Sequence, residues 1–214
     1  MMSGEGVQVD DLLCRARAGD PRALAALFDH YRRRLRHMVR LRLDHRLAGR
    51  LDASDVLQEA YLEADRRFAE YLRDPSIPVF LWLRLVTGQK LTDLHRRHLG
   101  AEMRDASREV PLPHGEWPAE PTAMARALID RSPQPGEAAI QAEWKRRLHE
   151  VLASLPLRDR RVLELRHFEQ LTSVEAAGVL GIHERAASKR YLRALQRLRT
   201  ALRRLGVDLR LVLP

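Results

Sequence analysis

Residues 171–206 read LTSVEAAGVLGIHERAASKRYLRALQRLRTALRRLG, and this stretch decides the fold. Thr172 and Glu175 have the spacing of a capping box, in which both side chains accept backbone N–H groups at the start of a helix. Gly181 stands where a sharp turn needs a left-handed residue. The stretch therefore predicts a helix over 173–180, a turn in which Ile182 enters the core, and a second helix over 183–205, together a helix-turn-helix.

The second of these helices is predicted to have one apolar and one basic face. Its apolar stripe is formed by Ala187, Tyr191, Ala194, Leu195, Leu198 and Leu202. A helix fits the major groove of duplex DNA, where its N-terminal residues reach base edges and later Arg and Lys side chains neutralise phosphates. The pattern favours DNA binding, although an Arg-rich helical hairpin without a DNA partner would show the same faces.

The rest of the chain also favours helices. Asp20-Pro21 predicts a helix start, Asp52 predicts another, and Pro75 and Pro78 separate that helix from a third over 79–98. Apolar residues at helical spacing predict one buried stripe on each helix. The stripe of the first helix is Leu24, Leu27, Phe28, Tyr31, Leu35, Met38 and Val39. The stripe of the second is Val56, Leu57, Ala60, Tyr61, Ala64, Phe68 and Leu72. The stripe of the third is Phe80, Leu83, Val86, Leu91 and Leu94. In the C-terminal third, Leu155-Pro156 ends one helix, and apolar residues at helical spacing in 162–168 predict the next. Sustained alternation of apolar and polar residues is missing, so the sequence predicts an all-α fold.

Charge and proline divide the 214 residues into two modules. The net charge of +9 is concentrated in residues 142–214, which hold 16 basic and 8 acidic side chains, whereas residues 101–141 hold 4 and 7. Six of the 11 prolines fall between Pro111 and Pro135, which disfavours continuous helix there. We predict two small helical domains, 1–100 and 142–205, a linker over 101–141 with a short helix near 122–129, and a tail over 206–214.

Several classes of protein are disfavoured by what the sequence lacks. The single cysteine, Cys14, allows no internal disulfide and is predicted to be a passive small hydrophobe. Phosphate-binding, zinc and nucleophile motifs are missing, so the sequence predicts neither an enzyme nor a cofactor or metal site. No run approaches roughly 18 apolar residues, and the acidic N-terminus has no signal-peptide core, so we expect a cytoplasmic protein without membrane insertion.

Two blocks of sequence resemble a known family. Residues 155–199 resemble the promoter-binding region 4 of bacterial RNA polymerase sigma factors, of the sigma-70 family and the extracytoplasmic-function (ECF) type, through VLELRHFE at Val162–Glu169 and RAL at Arg193–Leu195. DASDVLQEAYLEADRRF at Asp52–Phe68 and TDLHRR at Thr92–Arg97 resemble region 2. The blocks stand in the family's order, and the lack of a folded domain between them is typical of the ECF type.

The resemblance implies a transcription initiation subunit without bond chemistry of its own. Region 4 of the family binds the minus-thirty-five element as duplex, and region 2 binds the minus-ten element and an unpaired base during DNA melting. The implied partners are promoter DNA and core RNA polymerase, through its β′ coiled coil and β flap. Many family members are held inactive by an anti-sigma protein, and the sequence leaves that partner open. The alternatives are a stand-alone helix-turn-helix regulator and a helical adaptor without a DNA role.

Carried over residue by residue, the resemblance implies three groups of site residues. Core polymerase binding falls on Asp55, Gln58 and Glu59. Contacts to the unpaired strand fall on Gln89, Lys90, Asp93, His95, Arg96 and Arg97. Contacts to the duplex fall on Arg185, Ala186, Ser188, Lys189, Arg190, Arg193 and Arg197.

A few residues depart from the family pattern or allow two interpretations. His183 replaces the usual Ser or Thr at the start of the recognition helix, Ala187 a β-branched residue, and Ser188 a common Lys. Gln89 lies in a Gly-Gln pair where Arg-Asn is more frequent. Trp82 could stack on a base, but its apolar neighbours favour packing in the core.

Overall fold

This computed structural model describes residues 3–47, 50–99, 123–125 and 138–204. Every regular element in these ranges is helical and none is a strand, which confirms the all-α prediction. The chain divides into two compact units, Met1–Trp117 and Pro118–Pro214. Residues 123–125 of the short helix predicted near 122–129 are helical. The rest of the linker and the tail lie outside the described residues, so the domain limits stay a prediction.

The first unit is a helical bundle. Its helices are α1 (Ser3–Arg17), α2 (Ala23–Arg42), α3 (Ala53–Arg73) and α4 (Val79–Leu99), with a 3₁₀ turn at His45–Leu47. Helices α2, α3 and α4 pack against one another, and α1 packs on α2. The predicted stripes of α2, α3 and α4 form the core, where Leu27, Val56 and Leu83 are fully buried.

Helix α2 begins later than the sequence predicts. Its first residue is Ala23, and the N-cap, Arg22, provides no side-chain hydrogen bond. Asp20 instead shapes the turn before the helix, because its carboxylate accepts the Arg22 amide at 2.9 Å and the Arg15 guanidinium at 2.7 Å. These hydrogen bonds lower the pKa of the Asp20 carboxyl. The Asp20-Pro21 pair therefore forms a turn before α2 and does not provide the N-cap of that helix.

Helices α3 and α4 begin where predicted. Asp52 accepts the amides of Ser54 and Asp55 at 2.6 and 2.9 Å, and the Asp55 carboxylate accepts the Asp52 amide at 2.8 Å, which completes a capping box. The amide hydrogen bonds lower the pKa of the Asp52 carboxyl. This box fixes the first turn of α3, which contains Asp55 and leads into the turn that carries Gln58 and Glu59.

Trp82 and Leu72, both predicted to face the core, have different outcomes. Trp82 is buried and its ring stacks on Tyr71 with 4.6 Å between centroids, so the core interpretation holds and a stacking platform for DNA does not. Tyr71, which the predicted stripe of this helix did not include, is buried, whereas Leu72 next to it is only half-buried. Cys14, predicted as a passive small hydrophobe, is exposed.

The second unit is built from α5 (Ala138–Ser154), α6 (Leu157–Leu163), α7 (Ser173–Leu180) and α8 (Glu184–Arg204). Helix α6 continues into a single π-helical turn, Glu164–Phe168. Helix α8 packs on α5, α6 and α7. Helix α8 therefore contacts each of the three other helices named for this unit.

The predicted helix-turn-helix is present. Thr172 and Glu175 form the capping box of α7, with hydrogen bonds of 2.7 and 3.1 Å. Gly181 has φ of 63°, the left-handed conformation that favours glycine. Ile182 is half-buried, not plugged into the core as predicted. Ala176 and Ala187 are fully buried, which lets α7 and α8 pack closely.

Candidate nucleic-acid interface

One face of α8 carries a row of exposed cations. Arg185, Lys189 and Arg193 are four residues apart, so their side chains follow one another along the same face, and all three are exposed. Ala186, in the first turn, is exposed as well. The row starts directly after the turn at Gly181, as a helix that enters the major groove requires.

Two other predicted duplex contacts are partly withdrawn from the surface. Ser188 is half-buried and its hydroxyl donates to Ser173 Oγ at 3.2 Å, which links α8 to the first turn of α7. Arg190 is half-buried. Ser188 therefore fixes the two helices of the motif against each other in addition to any contact with DNA.

Arg197 has a structural partner. Its guanidinium donates to the carboxylate of Asp159, whose side chain is 4% exposed, while that of Arg197 is 49% exposed. The pair joins α8 to α6. A cation held by a nearly buried carboxylate contributes less positive potential to a phosphate than the exposed cations of the row.

A second polar face lies on α4. Its exposed members are Asp93, Arg96 and Arg97, and the half-buried Gln89 and Lys90 precede them on the same side. Gln89 Oε1 accepts a hydrogen bond from Arg67 Nη1 at 2.9 Å, and Lys90 Nζ lies 3.9 Å from Glu59 Oε2. Both contacts connect α4 to α3.

His95 does not belong to this face. Its side chain is fully buried, and Nε2 accepts the Asp44 amide at 3.4 Å. Burial, opposed by the Asp44 carboxylate and helped by Arg46, lowers the His95 pKa to about 4. A side chain without exposed surface cannot contact DNA in this conformation, so the predicted DNA contact of His95 is corrected to a role in packing α4 against the end of α2.

The predicted polymerase-binding residues lie at the start of α3. Asp55 and Gln58 are exposed, and Glu59 is 46% exposed in its ion pair with Lys90. Asp55 has a second role in the capping box. Leu62, one turn further, is 48% exposed, which adds an apolar side chain that the sequence pattern did not indicate.

A groove between α2 and α3 adjoins this face. Its lining is mainly apolar and includes Ala25, Phe28, Leu57 and Tyr61, with Gln58 at its side. The Phe28 and Tyr61 rings meet edge to face with 5.4 Å between centroids. The sequence pattern placed Phe28 and Tyr61 on buried stripes and gave no signal that they would border a groove.

The described residues were compared with the requirements for metal binding and for membrane-spanning helices. Within the described ranges, no cluster of three or more His, Cys, Asp or Glu side chains could hold a metal ion. None of the helices in that part of the chain is long and apolar enough to cross a membrane.

Comparison with known proteins identifies the class. The family model "Sigma-70, region 4" matches residues 145–198, which include the helix-turn-helix and its row of cations. This match places the second unit in the class of sigma-70 region 4 domains.

Relatives of similar length give the particular family. The ECF RNA polymerase sigma factor SigD of Mycobacterium tuberculosis (strain H37Rv) is 31% identical over 198 residues, covering 92% of this chain and 85% of SigD. ShbA of Streptomyces griseus, also an ECF sigma factor, is 30% identical over 207 residues, covering 93% of this chain and 97% of ShbA. The chain belongs to the ECF sigma factors.

A solved structure supports the fold. CnrH, in a complex with the cytosolic domain of CnrY, has 21% sequence identity and a TM-score of 0.51, covering 89% of this chain and 94% of CnrH. As a sigma factor, the chain binds core RNA polymerase and directs promoter recognition, DNA melting and transcription initiation. A stand-alone regulator is not favoured, because the relatives match across both units.

Proposed function

We propose that the three surfaces divide the work of this sigma factor. The α8 face binds the minus-thirty-five element as duplex, with Arg185, Ala186 and Ser188 at base edges and the exposed Lys189 and Arg193 at phosphates. The α4 face binds the unpaired strand of the minus-ten element. The start of α3 binds the β′ coiled coil of core polymerase.

The row of exposed cations directly after the turn is the observation that carries the duplex assignment. Major-groove readers place the N-terminal residues of the recognition helix at base edges. Arg185 lies in that first turn, and Lys189 and Arg193 extend the row along the helix. The polymerase assignment is supported by Asp55, Gln58 and Glu59, whose carboxylates and amide suit Arg or Lys on a partner helix.

The proposed function also involves two further partners and a cellular location. The second unit binds the β flap, and the chain works in the cytoplasm. An anti-sigma protein is a further proposed partner, supported by CnrH, whose solved structure contains the bound cytosolic domain of CnrY. The chain itself does no bond chemistry, which the polymerase supplies.

Pull-down with core polymerase tests the α3 surface. A variant with Asp55→Asn and Gln58→Ala removes one charge and one amide, while the Asn oxygen can still accept the Asp52 amide and keep the capping box. We expect this variant to lose most of its binding to core, because charge-assisted contacts to the partner helix are lost.

The matched control lies on the same helix. Asp65 and Glu70 are exposed on α3 and are not among the three predicted polymerase-binding residues, so Asp65→Ala plus Glu70→Ala should bind core like the wild type. Failure of the wild type to bind core, or to direct run-off transcription by it, would overturn the function. If both double variants lost core binding equally, only the placement of the polymerase-binding surface at the start of α3 would be overturned.

A further inference from the structure

Arg67 lies beneath the predicted single-strand surface and belongs to none of the three groups of site residues. It is half-buried on α3, and its Nη1 donates to Gln89 Oε1 at 2.9 Å. Within the described residues, Gln89 is its only hydrogen-bond partner. The neighbouring Arg66 is of the same residue type but faces solvent, with its side chain 71% exposed and 3.4 Å from Glu63.

The chemistry of the pair determines which way the Gln89 amide points. A guanidinium carries only donors, so the amide must turn its oxygen toward Arg67. Its NH₂ group is then left as the part of Gln89 available to a ligand. A glutamine without such a partner could instead bind adenine with both groups, accepting from N6 and donating to N7.

We propose that Arg67 is a specificity-determining positioning residue, which fixes Gln89 as a hydrogen-bond donor toward the unpaired strand. A donor pairs with O4 of thymine or O6 of guanine and is opposed by the amine that adenine (N6) or cytosine (N4) presents on the same edge. Arg67 thereby disfavours adenine and cytosine at the position that Gln89 contacts. The inference rests on the proposed contact between Gln89 and the minus-ten element.

The neighbouring ion pair reinforces the geometry. Lys90 is 15% exposed and lies 3.9 Å from Glu59, so the residue after Gln89 is also held to α3. Two successive residues of α4 are therefore connected to one neighbouring helix. Both contacts favour the arrangement of α4 on α3 in which Arg67 reaches Gln89.

The test uses holoenzyme reconstituted from core polymerase and the full chain. Fluorescence anisotropy measures binding to a single-stranded oligonucleotide that carries the non-template minus-ten sequence of a mapped promoter, with each of the four bases at each position. The position read by Gln89 is the one at which Gln89→Ala removes discrimination. There we expect wild-type holoenzyme to bind thymine or guanine about 5- to 10-fold more tightly than adenine.

Substitutions of Arg67 separate positioning from general stability. Arg67→Met removes the donors, and we expect the discrimination against adenine to shrink to about 2-fold or less because the amide can then bind adenine with both groups. Arg67→Lys restores a donor and should restore the discrimination. Arg66→Met is the matched control and should retain the wild-type base preference. Thermal unfolding of each variant shows whether the fold is kept.

The outcomes distinguish this inference from the function on which it rests. Gln89→Glu presents only acceptors and should reverse the preference toward adenine and cytosine. If Gln89→Ala and Gln89→Glu alter no position, the proposed DNA contact of Gln89 fails and the inference fails with it. If they alter one position but folded Arg67→Met keeps the wild-type preference there, only the role of Arg67 is overturned.

Discussion

His95 lies on α4 among residues that face the surface, yet its own side chain is fully buried. Burial lowers its pKa from the ordinary 6.5 to about 4, so the unfolded chain takes up a proton at this residue between those pH values and the folded one does not. The contribution of the neutral, buried His95 to the free energy of unfolding is complete above pH 6.5, and it is lost as the pH falls toward 4. We expect the free energy of unfolding of the first unit to drop by about 2 kcal/mol between pH 7 and pH 5.

Hydrogen exchange of the α4 amides at both pH values measures this loss. His95→Gln keeps an acceptor for the Asp44 amide without titrating in this range, so most of the loss should disappear in that variant. His183→Gln is the control, since His183 is exposed in the other unit and should leave the α4 loss as it is. A His95→Gln variant as sensitive to acid as the wild type would show that another group is responsible.

At the scale of single residues, the burial and the partners of a side chain are what the sequence predicts least well. Arg66 and Arg67 are adjacent and identical in type, and only the packing of α4 on α3 makes one a surface cation and the other a partner of Gln89. The same holds for His95, which the family motif groups with exposed neighbours. A family motif indicates which residues of this chain correspond to functional positions of the family. It does not indicate their burial, which depends on contacts between helices that are distant in sequence.

Helix boundaries follow from local signals, and those signals were largely sufficient. The predicted helix over 79–98 is observed as Val79–Leu99, and the predicted capping box of Thr172 and Glu175 has both of its hydrogen bonds. The π-helical turn Glu164–Phe168 was not predicted, because Leu165 and Phe168 have a spacing that an ordinary helix would satisfy equally well. Local sequence patterns do not show whether tertiary packing selects an α-helical or a π-helical turn.

The turn of the helix-turn-helix offers a test at the scale of the element. Gly181→Ala meets no atom within 4 Å, but its φ of 63° is strained for a residue with a Cβ. We expect it to destabilise the second unit by about 1–2 kcal/mol. Gly178→Ala is the matched control in the same motif, at an exposed position inside α7, and should stabilise by about 0.5–1 kcal/mol.

Urea unfolding of the two glycine variants, followed by circular dichroism, measures both effects. Opposite signs are expected because one glycine adopts a left-handed conformation and the other a helical one. If Gly181→Ala were as stable as the wild type, the left-handed turn would not be required for the motif. Duplex binding by the folded fraction should persist in both variants.

At the scale of the whole molecule, charge is separated along the chain. The segment 142–214 carries +8 of the net +9, so electrostatic attraction to duplex DNA is concentrated in the second unit. Not every basic residue contributes equally, since ion pairs within the fold neutralise some of them. The formal charge therefore overstates how many cations can release counterions from DNA.

Lys189 and Arg197 test this distinction on the full chain. Lys189 is exposed in the cation row, so Lys189→Gln should reduce the slope of log K against log salt by about 0.9, the value for one phosphate. Arg197→Gln should leave the slope within about 0.3 of the wild type, because Asp159 already neutralises Arg197. It should instead destabilise the second unit by about 1–3 kcal/mol, since the nearly buried Asp159 carboxylate loses its partner. Titrations of labelled duplex at several salt concentrations, with urea unfolding of the same proteins, give both quantities. A drop of about 0.9 for Arg197→Gln would show that Arg197 contacts a phosphate despite its ion pair.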